Sequence, residues 1–315
     1  MGMVVRTNAM GINANNNLYK NNASVSKNLE KLSSGFRINR AADDASGLAI
    51  SEKMKAQIKA LDTASANAQD GISLIQTAEG YLGEVHDMLN RMVELAEKSA
   101  NGTYEMGEAT GDDAYVPDDT SKAGTDRAAL QAEMDQLANE IDRIATTANF
   151  NNNKLLDGTL STDNGGLKLQ IGETSDVADK LTVSINQMDT ATLFKNLNEK
   201  IANAAEGALT DKGALTINIS DQDKASSAAE SLRAVINSVS TQRANLGAMQ
   251  NRLEYTINNL NTASENMSSA NSRIRDTDMA KTMMQYTQGN VLTQAAQAML
   301  AQANQQPQGV LQLLQ

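Results

Sequence analysis

The chain has no cysteine and no tryptophan. Without thiols there is neither a disulfide framework nor a thiolate metal site. A single histidine, His86, excludes nucleophile–base pairs and zinc signatures that need imidazoles in number. Aromatic residues make up only 3%. A broad globular core normally draws on aromatic bulk, so a thin, elongated core is expected. Lys and Arg number 27 against 38 Asp and Glu, a net charge of −11. That is the wrong sign for displacing counterions from nucleic-acid phosphates. Only two prolines, Pro117 and Pro307, occur in 315 residues, which leaves long stretches free to be continuous helix. No window approaches the roughly 20 apolar residues of a membrane span. The opening MGMVVRTNAMGINANNN carries asparagines where a signal peptide would carry Leu and Ala. Neither membrane insertion nor the general secretory route is expected.

What the chain does have is heptad periodicity. Stepping by seven from Met54 gives Leu61, Ala68, Ile75, Leu82, Leu89 and Ala96, with Ile58, Ala64, Ile72, Ala78, Val85, Met92 and Val93 on the flank. A second seam runs Leu232, Val239, Leu246, Leu253, Leu260, Met267 and Ile274. Stripes this wide meet more than one partner helix. Two helices of about 45 residues, each ~65 Å long, must pair lengthwise. A third helix is read from Thr125 to Ala148, with Leu130, Leu137 and Ile144 on one row and Met134 and Ile141 on the next. Asn149 to Asn153 supply its stop.

The middle changes period. Leu167, Leu169 and Ile171 alternate with polar residues, as do Leu181, Val183 and Ile185, so two strands of a small antiparallel sheet are expected, with Leu215, Ile217 and Ile219 as a further strand. Leu193 to Leu209 reads as a short helix. The acidic stretch 105–124, with Glu105, Glu108, Asp112, Asp113, Asp118 and Asp119, reads as a solvated loop. Its spacing does not match an EF-hand, so neither metal nor cofactor is expected.

The two ends are weakly amphipathic. Val4, Gly11, Leu18, Val25 and Leu32 share a row, while the row four residues on is largely asparagine: Asn8, Asn15 and Asn22, then Leu29 and Phe36. At the other end Met284, Val291 and Ala298 share one row, and Leu292 and Met299 another. Such segments do not hold isolated helices and order against a partner. Val4, Leu18, Val25, Leu32, Val291, Leu292 and Met299 are therefore the candidate assembly seam. Between ends and rods, Ser33-Ser34-Gly35 is a helix stop, and Asp43, Asp44 and Ser46 offer caps for the next helix. If the rods are antiparallel, the two linkers lie side by side. An ion pair is then expected between Arg40 and Asp276 or Asp278, or between Arg273 or Arg275 and Asp43 or Asp44, within one chain or between copies.

The same residues carry a family likeness. Leu29-Glu30-Lys31-Leu32-Ser33-Ser34-Gly35, followed by Ile38-Asn39-Arg40-Ala41-Ala42-Asp43-Asp44-Ala45-Ser46-Gly47-Leu48-Ala49-Ile50-Ser51, resembles the N-terminal hallmark of bacterial flagellin. Ser272-Arg273-Ile274-Arg275-Asp276-Thr277-Asp278-Met279-Ala280, with Ala298 to Gln305 and Val310 to Leu314, resembles its C-terminal hallmark. The resemblance implies a mainly α fold: a long antiparallel helical rod, D1, with coiled-coil terminal helices, D0, and a small β-hairpin region. On that plan residues 1–44 and 273–315 are D0 and linkers, 45–188 and 225–272 are D1, and 189–224 form a short variable outer region.

The function implied is a structural subunit that polymerises with itself into the flagellar filament, outside the cell. The implied partners are an export chaperone on the C-terminal tail, the filament cap and the hook–filament junction proteins, with export through the flagellar type III apparatus. Asn90-Arg91-Met92-Val93-Glu94-Leu95-Ala96 is similar to the rod segment detected by the animal Toll-like flagellin receptor. Arg91, Leu95 and Glu133 match its contact residues, Leu95 being expected on the surface. Three other readings are weighed: a free coiled-coil bundle with loose tails, a hook–filament junction protein, and a flagellin-like zinc protease. The last needs His-Glu-x-x-His, which a chain with His86 alone lacks. His86 itself reads as a half-buried packing residue, and no catalytic site is expected.

Overall fold

The computed structural model describes residues 8–103, 126–174, 176–194, 217, 219 and 222–313. Val4, the acidic stretch 105–124 and most of the helix expected at 193–209 lie outside the described residues. Long helices dominate: α1 (Ala9–Ser34), α2 (Ala45–Ala100), α3 (Asp126–Thr147), α4 (Gln222–Arg275) and α5 (Met279–Leu313). Two antiparallel pairs of strands accompany them, β1 (Asn149–Phe150) with β2 (Asn153–Lys154), and β3 (Leu167–Gln170) with β4 (Lys180–Val183). The class is mainly α with a small β-hairpin region, as expected. The chain divides into two compact units, Met1–Ala60 with Thr262–Gln315, and Leu61–Asn261. The divisions fall inside α2 and α4 rather than at the linkers.

Within Leu61–Asn261 the heptad seam of α2 is the core. Ala68, Ile75, Leu82, Leu89 and Ala96 are fully buried, with Val85 and Met92 beside them, and α4 answers with Leu232, Val239, Leu246 and Leu253. Cross-helix pairs give the direction: Glu97 meets Arg233, Glu79 meets Arg243, and Ser65 meets Asn261. Each step toward lower numbers on α2 is matched by a step toward higher numbers on α4, so the two run antiparallel in register. α3 adds Met134, Ile141 and Ile144 to the same core. Each fully buried Leu, Ile, Val or Met side chain contributes about 1.5–3 kcal/mol. A core drawn out along helices is filled by aliphatic rows, which is why it needs so little aromatic bulk.

In β4, Leu181 and Val183 are buried while Lys180 and Thr182 are exposed, and the register pairs Leu167 with Val183 and Leu169 with Leu181. Two local expectations are corrected. The exit of α3 is more than a stop: Phe150 pairs with Asn153 around Asn151 and Asn152, at φ 47° and 67°. Two left-handed residues in succession make the tight turn of a two-residue hairpin, and Asn tolerates that conformation. The strand expected through Leu215, Ile217 and Ile219 is not a ladder at its described residues. The Gln131 amide donates to the Ile217 carbonyl at 2.7 Å and accepts from the Ile219 N–H at 2.8 Å, and the Ser99 hydroxyl donates to the Ile219 carbonyl. Side chains of α2 and α3 thus satisfy backbone groups that a partner strand would otherwise take. His86 is half-buried, as expected, with its Nδ1 enclosed and without a hydrogen-bond partner among the described residues.

Candidate functional site

The terminal pair sets a row of small residues on one helix against bulkier ones on the other and leaves further bulky apolar residues outside. α1 starts at Asn8, whose Oδ1 accepts from the Gly11 N–H at 2.9 Å, and stops at Gly35, left-handed at φ 75°. Gly35 meets the conformation that a side chain would strain. The sheltered positions on α1 are Gly11, Leu18, Val25 and Leu32, with Ala14, Asn21 and Asn28 on the second row. This corrects the expected second row, since Asn15, Asn22 and Leu29 face solvent. On α5 the sheltered positions are Thr282, Tyr286, Gly289, Thr293, Ala296, Leu300 and Ala303. The helices run antiparallel and close: Asn8 Nδ2 donates to the Ala303 carbonyl at 2.8 Å, and a Cβ on Gly289 would lie 2.8 Å from Val25 Cγ2. Ala303 stands four residues before Pro307, which has no N–H for that carbonyl. Asn8 fills the place. Gly289 and Asn8 were missed in the sequence, although a small residue at each seven-step from Thr282 and a proline four residues after a carbonyl were readable signals.

The outward side of α5 carries two apolar rows among exposed glutamines. Met284 is 68% exposed, Val291 64%, Leu292 48% and Met299 69%. These are the two rows read from the sequence, turned away from α1. On α1, Met10, Ile12, Tyr19 and Leu29 are exposed as well. Of fourteen exposed large hydrophobic residues among the described residues, Val177 and Tyr255 lie in Leu61–Asn261, and the other twelve lie in the unit formed by the ends. A helix that packs one face within its own unit and keeps apolar rows on the other has a second surface to bury. Scattered exposed apolar residues are ordinary, whereas a continuous patch marks an interaction surface.

The linkers lie side by side. Phe36 bridges Asp276, the Arg37 N–H donates to the Arg275 carbonyl at 2.7 Å, and the Thr277 N–H donates to the Gly35 carbonyl at 2.9 Å. The Arg275 guanidinium sits 4.6 Å from the centroid of the Phe36 ring. Within one chain the expected pairs do not form: Arg40 pairs with Glu30 at 2.9 Å and Arg275 with Glu52 at 2.5 Å, and Arg273 makes no ion pair among the described residues. The four aspartates are occupied within their own segments. Asp43 accepts from the N–H groups of Asn39 and Arg40, Asp44 from the Gly47 N–H and Ser46, Asp276 from Ser272, and Asp278 from the Lys281 N–H. Helix starts leave N–H groups without partners, and a nearby carboxylate closes them at less entropic cost than a long side chain from another segment. The Arg40 and then the Asn39 N–H hold Asp43 below the ordinary carboxylate range, and the Gly47 N–H and Ser46 do the same for Asp44.

Arg91 and Glu133 do share a face, joining α2 to α3 at 2.7 Å, with Glu94 at 3.0 Å from the same guanidinium. Leu95 does not share it. It is fully buried, because α2 packs against both α3 and α4 and the core stripe is wide enough to take Leu95 beside Met92 and Ala96. No helix among the described residues is long and apolar enough to cross a membrane.

Comparison with known proteins bears on the whole chain. The profile of the bacterial flagellin N-terminal helical region matches residues 5–111 and 112–161, and that of the bacterial flagellin C-terminal helical region matches residues 229–314. A protein named Flagellin from Halalkalibacterium halodurans is 48% identical over 312 residues, covering 99% of this chain and 100% of that one. Flagellin of Bacillus subtilis strain 168 is 47% identical over 322 residues, covering 99% and 100%. The flagellar filament 33 kDa core protein of Treponema phagedenis is 44% identical over 315 residues, again covering 99% and 100%.

Proposed function

The chain belongs to the bacterial flagellin family and is a structural subunit of the flagellar filament; from that premise we propose that copies join through the outward apolar faces of α1 and α5. The observation that carries this is the gathering of exposed apolar residues on the terminal pair, while among the described residues of the other unit only Val177 and Tyr255 are large, apolar and exposed. Val291, Leu292 and Met299 would meet neighbouring copies, while Leu18, Val25 and Leu32 hold α1 to α5 within one copy. α1 and α5 are assigned to D0, and α2, α3 and α4 with the hairpins to D1. Three relatives carry flagellin or filament-core names and none a junction name, so nothing favours the junction reading. The role is structural, with no catalytic step.

The finer parts of the reading follow from the family. The subunit is secreted through the flagellar type III apparatus, an export chaperone holds its C-terminal tail, and the cap and junction proteins meet it at the growing and basal ends. The monomer is engaged by the animal Toll-like flagellin receptor at the face of Arg91 and Glu133, with Leu95 supporting that face from inside. The test of the central reading is seeded polymerisation watched by electron microscopy. The full chain extends seeds into filaments, and a chain lacking residues 284–315 stays soluble and adds none. Growth of the truncated chain would remove the terminal pair from the mechanism.

A further inference from the structure

Methionines divide sharply between the two units. Met92, Met134 and Met188 are buried in Leu61–Asn261, at 0%, 1% and 2% exposure, whereas Met10, Met279, Met283, Met284 and Met299 are exposed in the unit formed by the ends, Met284 and Met299 on α5 the most, at 68% and 69%. The chain has no cysteine, so no thiol competes for an oxidant, and exposed thioethers are the most readily oxidised side chains it offers. We propose that Met284 and Met299 are an oxidation site that switches off assembly, with a hydroperoxide as the oxygen donor. The inference rests on the reading of α5 as the assembly face.

The chemistry is a two-electron oxygen transfer. With hydrogen peroxide, a sulfur lone pair attacks one oxygen, the O–O bond breaks, the transferred hydroxyl gives up its proton, the departing hydroxide takes up a proton and leaves as water, and the sulfur becomes a sulfoxide. A flexible apolar group is thereby replaced by a polar, chiral one. Its oxygen is a strong acceptor, and burying it against apolar side chains of a neighbour leaves that acceptor without a donor. Met284 lies on the row of Val291 and Met299 on the row of Leu292, so both rows of the outward face are struck. The subunit's own fold is spared, because these thioethers point away from α1. Once covered by neighbours in a filament, they are also shielded from the oxidant.

The experiment treats the full-length monomer with hydrogen peroxide, maps sulfoxides by peptide mass spectrometry and measures elongation from seeds. Sulfoxide forms at Met284 and Met299 before Met92, Met134 or Met188, and elongation slows by about tenfold or more, the scale of one buried acceptor left unpaired. Methionine sulfoxide reductase restores the rate. In the doubly substituted Met284→Leu, Met299→Leu chain, the ratio of treated to untreated rate stays near one. Full oxidation of both residues with an unchanged rate overturns the inference, as does equal inhibition of the Leu variant. If the untreated chain adds to no seed, the assembly reading falls and this inference with it. If the untreated and oxidised chains elongate alike, only the inference falls.

Discussion

The closest approach between the terminal helices is the point at which a small change acts with a calculable sign. A methyl group added at Gly289 would sit 2.8 Å from Val25 Cγ2, against about 3.5–4.0 Å for two carbons in comfortable contact. Val25 is β-branched and stiff about χ1, so its methyl does not swing away freely. Gly289→Ala therefore carries two opposed effects. Alanine stabilises a helix interior by about 0.8–1 kcal/mol relative to glycine, and overpacking costs about 1–3 kcal/mol. In the unaltered background the net result is a loss of about 0–2 kcal/mol. With Val25→Ala also present the obstruction is gone and the same change becomes a gain of about 1 kcal/mol. The coupling between the two positions is then about 1–3 kcal/mol. Hydrogen exchange of the α1 and α5 amides in the assembled filament, where both ends are ordered, reads all four corners of the cycle. Equal effects of Gly289→Ala in both backgrounds would refute the packing argument.

The carboxylate caps predict an acid limit. Asp43 and Asp44 are held below their ordinary value of 3.8 in the folded chain, so their contribution is complete above pH 3.8 and lost as pH falls through the lower folded value. Amide exchange over residues 39–48 should rise in that acid window and less so in Asp44→Asn, since asparagine still caps but does not titrate. Residues 8–32 and 284–313 should exchange quickly in dilute monomer and slowly in the filament; slow exchange in both would show that the ends order without a partner. Leu95→Ala should cost about 2–5 kcal/mol in thermal or denaturant unfolding, while Arg91→Ala, which breaks an exposed pair, should cost about 0–1 kcal/mol. A receptor-binding assay in which Arg91→Ala matches the unaltered chain would take Arg91 out of the contact.

Periodicity made the long elements legible. Leu61 to Ala96 and Leu232 to Leu260 repeat every seven residues, and both seams became core because a helix keeps one face toward its partner over its whole length. The rows of Met284 and Leu292 were equally readable, although periodicity does not say which apolar face of α5 meets α1 and which is left outside. That depends on Gly289, Ala296 and Ala303 allowing close approach on one side. Leu95 was misjudged because the width of a buried stripe depends on the number of partner helices, which no single helix reveals. Of the two linker aspartates read as caps, Asp44 caps α2, whereas Asp43 closes the N–H groups of Asn39 and Arg40 before it; within one chain these near donors take the carboxylates that had been expected to pair with arginines. Asn151 and Asn152 were read as a stop, where paired left-handed residues instead reverse the chain into a hairpin.

The central claim, that copies join through the outward face of α5, is tested most directly by placing a charge there. Val291→Lys puts an ammonium on a residue 64% exposed in the monomer, where the fold tolerates it. In the filament the same ammonium would be buried without a partner, at a cost of several kcal/mol. Val177→Lys, at a residue 87% exposed in the β3–β4 loop, is the matched control. The expected result is a Val291→Lys monomer with unaltered helicity that does not elongate seeds, beside a Val177→Lys chain that does. Normal elongation by Val291→Lys would contradict the account.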